Sequence, residues 1–452
     1  MKKLVSLLVV LAMMCTLFAA CGGGGSEETT AASEETAASE AETTAAAEES
    51  TGKTKITVLR PGDQDKIAPF LEPAIEQFEA DNPDIDVEIM YESWAGWIQT
   101  YSTYFEADTQ PDVIFWWDNK LHDSSAEASL VDLSPYLSDE LISKIPESVW
   151  NMVDPGDMEG LYYVPSSVDT FVLYYNYEVF EAAGLDPESP PTTWEELLTC
   201  AEQIATNTGI PGIGVPGITG SEVLEEFVGM FINQATQADV LDTSSYAQFN
   251  NDKGQEALSY LEDLFKYAQE SPTEYGRGEL RSLLRDGQVG MIIDGPWAVS
   301  TFQAAWGNNF TEEGSVGVAA VPQHAAGETI TWAGTNGWIA SRESTAEASA
   351  KLIEYLMSDD VLEAHHLAYG SSPLYESEFE NESFGYEYWK TMYQITTEYT
   401  MFGMIGRNSA TPSAYYTALE EVWQQLLLGQ IGAEDAMAAA VDAVATVTAR
   451  NE

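Results

Sequence analysis

The sequence predicts an α/β fold that is divided into two lobes. Strand and helix patterns alternate between residues 56 and 116, an order typical of a parallel, doubly wound sheet. About 400 of the 452 residues follow an N-terminal segment that cannot form a core, and this length suits two lobes of ordinary domain size. The chain carries 22 Tyr, 16 Phe and 12 Trp, so both lobes can have an apolar core. No repeat of short fixed period is visible in the sequence, which argues against a solenoid.

The chain begins with a segment typical of exported proteins. Lys2 and Lys3 precede an apolar run from Leu4 to Met14, so residues 1–20 are predicted to be a signal peptide. The signal ends in Leu17-Phe18-Ala19-Ala20-Cys21-Gly22, which resembles a bacterial lipobox. By that resemblance Cys21 is the lipidation site and the mature N-terminus. An uncleaved anchor or an ordinary secretory signal is the alternative, but so short an apolar stretch is marginal against a bilayer core of about 30 Å.

Residues 21–53 are predicted to be a flexible, acidic linker. From Gly22 to about Gly52 the chain has no Lys, Arg, aromatic or branched aliphatic residue. Such a segment cannot bury enough apolar surface to offset the entropy of ordering it. Its role would be to tether the folded body to the membrane surface.

The body that follows contains strands and helices in a regular order. Short apolar runs and two-residue alternation predict strands at residues 56–59, 85–91, 112–116, 289–293 and 316–321, and a further strand is expected at 337–340. Apolar residues that share a helix face predict helices that include Leu71, Ile75 and Phe78, then Leu258, Leu261 and Phe265, and finally Tyr415, Leu419 and Val422. Two capping boxes predict helix starts, at Thr193–Glu196 and at Ser344–Glu347.

Charge and cysteine content exclude several classes of function. The net charge is −56 with only 18 Lys and Arg, which argues against nucleic acid but leaves a cationic ligand such as a polyamine open. Cys15 leaves with the signal and Cys21 takes lipid, so Cys200 stays alone as an expected buried helix residue, without a disulfide. The four histidines show no metal-ligand spacing, and we expect no metal and no cofactor.

Eight motifs occur in the order in which one protein family carries them. They are Phe78–Pro83, Pro111–Phe115, Leu130–Leu137, Gly160–Pro165, Leu173–Asn176, Pro191–Leu197, Gly287–Trp297 and Trp332–Ser341. The body from about Lys55 to Arg450 resembles the family 1 extracellular solute-binding proteins, the group that includes the maltose-binding protein. In one departure, Ala333-Gly334 stands where many relatives carry paired glycines.

The resemblance implies a hinged, two-lobe fold of the periplasmic-binding-protein type II class, with a ligand cleft between the lobes. Lobe 1 is expected to hold residues 54–164 plus 317–370, and lobe 2 residues 165–316 plus 371–452. The implied function is a lipid-anchored, monomeric protein on the extracytoplasmic face of a bacterial membrane. It would capture a mono- or oligosaccharide and deliver it to the permease subunits of an ABC importer.

A sugar site needs aromatic platforms for the apolar ring face and planar polar groups for the hydroxyls. Open α/β sheets bind ligands where their strands end. The residues in such places are Arg60 and Asp63 after the first strand, Trp94 and Trp97 after the second, and Trp117, Asp118 and Asn119 after the third. Each group has an alternative role. Arg60 and Asp63 could stabilise a turn, Trp94 and Trp97 could pack inward, and Asp118 and Asn119 could form a helix cap or a hydrogen bond within a loop. Trp116 or Trp117 is expected in the core.

Six further candidates lie later in the chain. By motif, Trp297 corresponds to a stacking residue of the family. Trp332, Gly334 and Asn336 are expected in a loop before a strand at Gly337–Ala340, a region where relatives contact ligand. Asp169 and Tyr174 lie near the first crossing between lobes, and Arg407 is one of few cations. Core packing is the alternative for Trp297 and a surface ion pair for Arg407; Trp338 is expected in the core and Tyr174 at the hinge.

Two other classes of function have weaker support in the sequence. A glycoside hydrolase would use a pair of carboxylates, but 74 acidic residues make such pairs uninformative. No nucleophile elbow, Walker loop or zinc motif is present, and Pro211 and Pro216 interrupt the one G-x-G-x-x-G spacing. An adhesive lipoprotein would show sandwich-like strands or repeats, which the sequence lacks. We therefore expect no catalytic residues.

Overall fold

A computed structural model of the chain describes residues 52–153, 159–238, 249–312 and 314–451. The chain separates into residues 1–51 and a compact unit from Gly52 onward, to which all of the described residues belong. The predicted signal peptide, Cys21 and nearly all of the predicted linker lie outside the described residues. Every helix in the described part is too short or too polar to cross a membrane.

Ten strands and sixteen α-helices make up the described fold. The strands are β1 (Thr54–Pro61), β2 (Ile85–Glu92), β3 (Val113–Trp117), β4 (Val164–Thr170), β5 (Val172–Asn176), β6 (Ile213–Gly214), β7 (Met291–Asp294), β8 (Val316–Ala320), β9 (Ile330–Ala340) and β10 (Thr400–Phe402). The first eight helices are α1 (Gln64–Asp81), α2 (Trp94–Glu106), α3 (Ser124–Glu127), α4 (Asp139–Lys144), α5 (Glu147–Met152), α6 (Tyr177–Ala183), α7 (Trp194–Thr208) and α8 (Val223–Thr236). The others are α9 (Asp252–Leu264), α10 (Arg277–Arg285), α11 (Val299–Trp306), α12 (Ala346–Leu356), α13 (Asp359–Tyr369), α14 (Glu387–Glu398), α15 (Pro412–Leu427) and α16 (Ala433–Asn451).

The first sheet has the order β10-β9-β3-β1-β2, and β4 also pairs with β9. β1 runs parallel to both β2 and β3, which confirms the parallel order predicted for residues 56–116. The long strand β9 is antiparallel to both β3 and β4, so it links these two strands within the sheet.

The second sheet has the order β6-β7-β5-β8. β5 is antiparallel to both β7 and β8, and β6 is parallel to β7. Alternate residues of β5 enter different cores: Leu173 packs with α6 to α9, α15 and α16, whereas Tyr174 packs with α10, α11 and α14. The first sheet is likewise covered on both faces, with Val58 in one apolar cluster and Leu59 in another. Two separately covered sheets make this the predicted two-lobe α/β fold.

The chain passes from the first sheet to the second between β4 and β5, and it returns between β8 and β9. By strand pairing, β4 and β10 lie with the first sheet and β8 with the second. The lobe limits predicted at 164/165, 316/317 and 370/371 stay a prediction, and we propose to shift them so that β4 and β10 join lobe 1 and β8 joins lobe 2.

One predicted helix start is confirmed and one is wrong. Thr193 caps α7, and Glu196 returns the bond to the backbone of Thr193, which completes the predicted capping box. At Ser344–Glu347 the chain instead forms a 3-10 turn at Glu343–Thr345, and α12 begins at Ala346 without a side-chain cap. The residue before α12 is thus Thr345 and not Ser344; its hydroxyl donates to Oδ1 of Asp112 and to the carbonyl of Arg342 but accepts no N–H of the helix. Cys200 is buried on α7 and unpaired within the described chain, as predicted.

Candidate ligand-binding cavity

A cavity of about 510 Å³ lies where strands of both sheets end. Its wall includes the loop after β1, the start of α2, the end of β3 and the middle of β9 on one side. The other side comes from the start of α8, from α10 and from the segment after β7. The lining residues are Asp63, Lys66, Trp94, Trp117, Asp169, Ser221, Val223, Glu226, Arg277, Arg281, Trp297, Ser300, Thr301, Trp332, Gly334, Asn336 and Tyr369. A larger groove of about 660 Å³ between α15 and α16 has no aromatic residue in its lining.

Five aromatic side chains line the cavity, and hydrogen bonds fix the edges of two of the indoles. Nε1 of Trp94 donates to the hydroxyl of Tyr369 at 2.6 Å, and Nε1 of Trp297 donates to Oδ1 of Asp294 at 2.6 Å. Trp332 stacks on Phe171 with ring centroids 4.2 Å apart. These contacts hold rigid apolar surfaces in the wall, which is the property that a stacked ligand requires.

Two buried polar groups of the wall have unused hydrogen-bonding capacity. Oδ2 of Asp169 accepts from Nδ2 of Asn336 at 2.8 Å, but its Oδ1 has no partner in the described structure. Burial raises the pKa of Asp169 to about 7, although the bond from Asn336 and the nearby His366 oppose the shift. Nε1 of Trp332 is a buried donor that likewise lacks an acceptor among the described residues. Each of these two atoms carries the cost of a buried polar group without a partner, and a ligand group that reached it would remove that cost.

A network of ion pairs forms the second side of the cavity. The guanidinium of Arg277 pairs with Glu226 and lies 4.8 Å from the ring centroid of Phe171 and 5.3 Å from that of Trp297. Burial raises the pKa of Glu226 to about 7, against the opposing effect of Arg277. Nε of Arg281 donates to Asp294 at 2.6 Å, and this same carboxylate holds Trp297. The network thus fixes both the cations and the aromatic ring.

The structure brings eight of the thirteen predicted ligand residues to the cavity. They are Asp63, Trp94, Trp117, Asp169, Trp297, Trp332, Gly334 and Asn336. Trp116 and Trp338 are buried in the cores, as predicted. Tyr174, expected at the hinge, packs in a core of the second sheet, and Trp332, Gly334 and Asn336 lie within β9 and not in a loop before it. Whether the eight contact a ligand stays a prediction.

Arg60 and Trp97 are not in the cavity wall. Arg60 is fully buried: its Cζ lies 3.5 Å from the ring centroid of Phe115, and its Nη2 lies 3.0 Å from Nε2 of His365. Trp97 packs edge-on against Trp116 in the core, with ring centroids 5.2 Å apart. Arg60 lies within β1, which extends to Pro61, and Trp97 lies on the buried face of α2.

Asp118, Asn119 and Arg407 are also buried behind the wall. Oδ1 of Asp118 accepts from the backbone N–H of Thr335 at 2.9 Å, and burial raises its pKa to about 6. Oδ1 of Asn119 accepts from the N–H of Met404 at 3.3 Å, so the predicted loop-bond alternative describes these two residues. Arg407 is 3 % exposed and donates to the carbonyl of Met152, so neither a ligand contact nor a surface ion pair describes it.

Nine lining residues are not among those predicted from the sequence. They are Lys66, Ser221, Val223, Glu226, Arg277, Arg281, Ser300, Thr301 and Tyr369. Arg277 and Arg281 were detectable in principle, because they stand four apart on one face of a helix in a chain with only 18 Lys and Arg. Within the described ranges, no group of His, Cys, Asp and Glu side chains is arranged to hold a metal ion.

Comparisons with known proteins give a consistent result. The family model described as bacterial extracellular solute-binding protein matches residues 62–363. The maltodextrin-binding protein MdxE of Bacillus subtilis is 23% identical over 324 residues, which cover 69% of this chain and 70% of MdxE.

Two solved structures share the fold. The cyclic α-maltosyl-1,6-maltose binding protein from Arthrobacter globiformis has a TM-score of 0.70 at 24% identity, over 88% of this chain and 99% of that one. An ABC transporter solute-binding protein from Thermotoga lettingae, bound with α-D-tagatose, has a TM-score of 0.71 at 25% identity, over 87% and 99% of the two chains.

Proposed function

Because the chain belongs to the bacterial extracellular solute-binding protein family, we propose that it captures a carbohydrate and presents it to the permease of an ABC importer. The observation that carries the proposal is the cavity wall itself. Five aromatic rings line the cavity together with the polar side chains of Asp169 and Asn336, which are hydrogen-bonded to each other. A sugar combines an apolar ring face with hydroxyls that both donate and accept, so it matches this wall.

A polyamine fits this cavity less well than a carbohydrate. Lys66, Arg277 and Arg281 line the cavity, although the whole chain has only 18 Lys and Arg. A polycation would face these three charges, and like charges at short range cost affinity. Of the three carboxylates in the wall, Glu226 is already paired with Arg277, which leaves Asp63 and Asp169 against the three cations.

We propose binding without catalysis. The two carboxylates in the wall with pKa values near 7, Asp169 and Glu226, are held by Asn336 and Arg277 respectively. A glycosidase needs one carboxylic acid and one carboxylate placed on either side of a glycosidic bond. Because Asn336 and Arg277 already bind these two carboxylates, the pair supports a role in holding a ligand. Release of reducing sugar from any glycan that binds would contradict this.

The location and the transport partners rest on the sequence and on the family. Residues 1–21 support export, cleavage and lipidation at Cys21, which would anchor a monomer on the outer face of a bacterial cytoplasmic membrane. Permease subunits of an importer are the partners that this role implies. Metabolic labelling with a radioactive fatty acid, with Cys21→Ser as control, tests the anchor.

Thermal unfolding with a panel of mono- and oligosaccharides, followed by polyamines, tests the ligand class. A ligand at a hundredfold excess over its Kd stabilises the folded state by about 2.7 kcal/mol. We expect a shift with one sugar class that is lost in Trp297→Ala. Trp306→Ala is the matched control, because Trp306 is a half-buried tryptophan at the end of α11, outside the cavity wall. A shift with polyamines alone would contradict the carbohydrate proposal but not the family.

A further inference from the structure

A short 3-10 helix, Asp118–Lys120, connects the two apolar cores beside the cavity. It follows β3 directly, and the residue before it, Trp117, lines the cavity. Leu121, which ends the turn, packs in the core of the first sheet. Tyr416 of α15, which packs in the core of the second sheet, donates its hydroxyl to the carbonyl of Asn119 at 3.3 Å.

Lys120 carries a buried charge across this boundary. Its Nζ lies 2.8 Å from Oε1 of Glu222 and 2.6 Å from the hydroxyl of Ser413. It also lies 5.4 Å from the ring centroid of Trp117 and 4.6 Å from that of Tyr416. Lys120 is 4 % exposed and Glu222 6 % exposed, so both charges have lost their water. Each ion therefore depends on the other to remain buried.

The backbone of Glu222 directs its side chain to this position. Glu222 precedes α8 and has φ +63° and ψ 0°, a left-handed conformation that is uncommon for residues other than glycine. Its neighbours Ser221 and Val223 both line the cavity. The N–H of Gly220 donates to Glu420 of α15 at 2.9 Å, which fixes this turn to the second core. Trp117, three residues before Lys120, and the two neighbours of Glu222 are thus all parts of the wall.

We propose that Lys120 and Glu222 form an interlobe latch that sets ligand affinity without contacting the ligand, an inference that rests on the proposed solute-binding function. Separation of the lobes would place both charges in water, and closure would bring them together. Closure would also bring Trp117 against Ser221 and Val223 around a ligand. The latch and the ligand therefore favour the same conformation, and each should strengthen the other.

The ligand-free test measures the distance between the lobes. Nitroxide labels on Asp86→Cys and Glu202→Cys, in the unlipidated mature chain with Cys200→Ser and Cys21→Ser, mark exposed sites of the two lobes. Pulsed electron spin resonance then gives the distance distribution. We expect Lys120→Met to raise the ratio of the longer to the shorter distance about tenfold. Lys144→Met is the control, since it removes a cation whose pair with Asp359 is on the surface.

The second test uses the carbohydrate that gives the largest thermal shift in the panel. We expect Lys120→Met and Glu222→Gln to raise its dissociation rate constant about tenfold with little change in the association rate constant, since affinity differences lie mostly in dissociation. The double variant should be no worse than either single variant, because the two residues act as one unit. A lysine that only fills space would not give this pattern.

If Lys120→Met and Lys144→Met give the same distance distribution, the latch proposal is wrong, whichever ligand the protein binds. Additive effects of the two substitutions on dissociation would overturn it as well. If no carbohydrate binds the unsubstituted protein, the proposed function fails instead, and the distance measurement still decides on the latch. The two failures are therefore distinguishable.

Discussion

Replacing Glu378 with Gln should destabilise the protein, and the loss should be largest below pH 6.5. Glu378 is 2 % exposed, and its Oε2 lies 2.5 Å from Nδ1 of His366. Nε2 of the same histidine lies 2.7 Å from the carbonyl oxygen of Ser166 on β4. Because both ring nitrogens face acceptors, both carry a proton, and the ring is an imidazolium paired with a buried carboxylate.

The pH dependence follows from the direction of the pKa shift of His366. Burial alone lowers its pKa, but Glu378 and the carbonyl of Ser166 together outweigh burial and raise it above 6.5. A histidine with a raised pKa in the folded state adds stability that is fully present below pH 6.5 and is lost as the pH rises through the folded-state value. The difference between the unsubstituted protein and Glu378→Gln should therefore narrow at alkaline pH.

The size of the effect can be estimated from burial and chain length. Removing one partner of a buried ion pair costs roughly 3–5 kcal/mol, because the other charge is left uncompensated. An unfolding entropy of about 2.1 cal/mol/K per residue over about 400 folded residues gives about 0.8 kcal/mol/K. The melting temperature should then fall by about 4–6 °C at pH 6.

Calorimetric melting between pH 5.5 and 9 tests this prediction. The control is Glu380→Gln, which removes the same charge from an exposed position of the same 3-10 helix, Glu376–Glu380. We expect a change of less than about 0.5 kcal/mol for this surface substitution. If Glu378→Gln melts like the control, or if its deficit is constant across the pH range, the pair is not ionic and the reasoning is wrong.

Three further predictions concern the cavity, the first sheet and the free thiol. If the carboxylate of Asp169 accepts ligand hydroxyls, carbohydrate affinity should rise with pH through about 7, and Asp169→Asn should remove this dependence in titration calorimetry. Gly337→Ala should cost about 1–3 kcal/mol in urea unfolding, because its Cβ would lie 2.2 Å from the carbonyl oxygen of Val164; a neutral result would show that β4 and β9 can separate freely. Burial raises the pKa of Cys200 to about 11, so peptide mapping should show slow alkylation at neutral pH until urea unfolds the chain, and fast alkylation in the native state would contradict its burial.

The strands and the fold class could be predicted because their pattern is local. In β2, Ile85 is buried while Asp86 is exposed, and this alternation is readable in the sequence. The capping box at Thr193 has its partner only three residues away and is confirmed. The box at Ser344 is wrong because a 3-10 turn at Glu343–Thr345 places the start of α12 at Ala346, one residue later than a cap at Ser344 requires. The hydroxyl of Thr345 in this turn binds Asp112, a residue far away in the sequence, and such a contact is not visible in the local pattern.

The cavity was predicted in part for the same reason. Strand ends could be located, so Asp63, Trp94 and Trp117 were found. The sequence did not show which of their close neighbours also line the cavity, because the direction of the chain after each strand depends on distant partners. Asp118, for example, is held away from the cavity by its hydrogen bond from the N–H of Thr335. Arg277 was missed because its place in the wall depends on how α10 packs against the second sheet.

The alternation of β9 gives the protein a route to new specificities. Trp332, Gly334 and Asn336 reach the cavity at every second position, while Ala333 and Thr335 between them are fully buried. All five residues belong to the backbone ladder of β9, in which Ala333 to Asn336 pair with β4 and Trp332 pairs with Phe402 of β10. This pairing is made by backbone groups and not by the side chains. After a gene duplication, one copy could therefore acquire a different nutrient by changes at three positions of one strand. The same three positions are where a designer would start in order to turn this scaffold into a sensor for another small molecule.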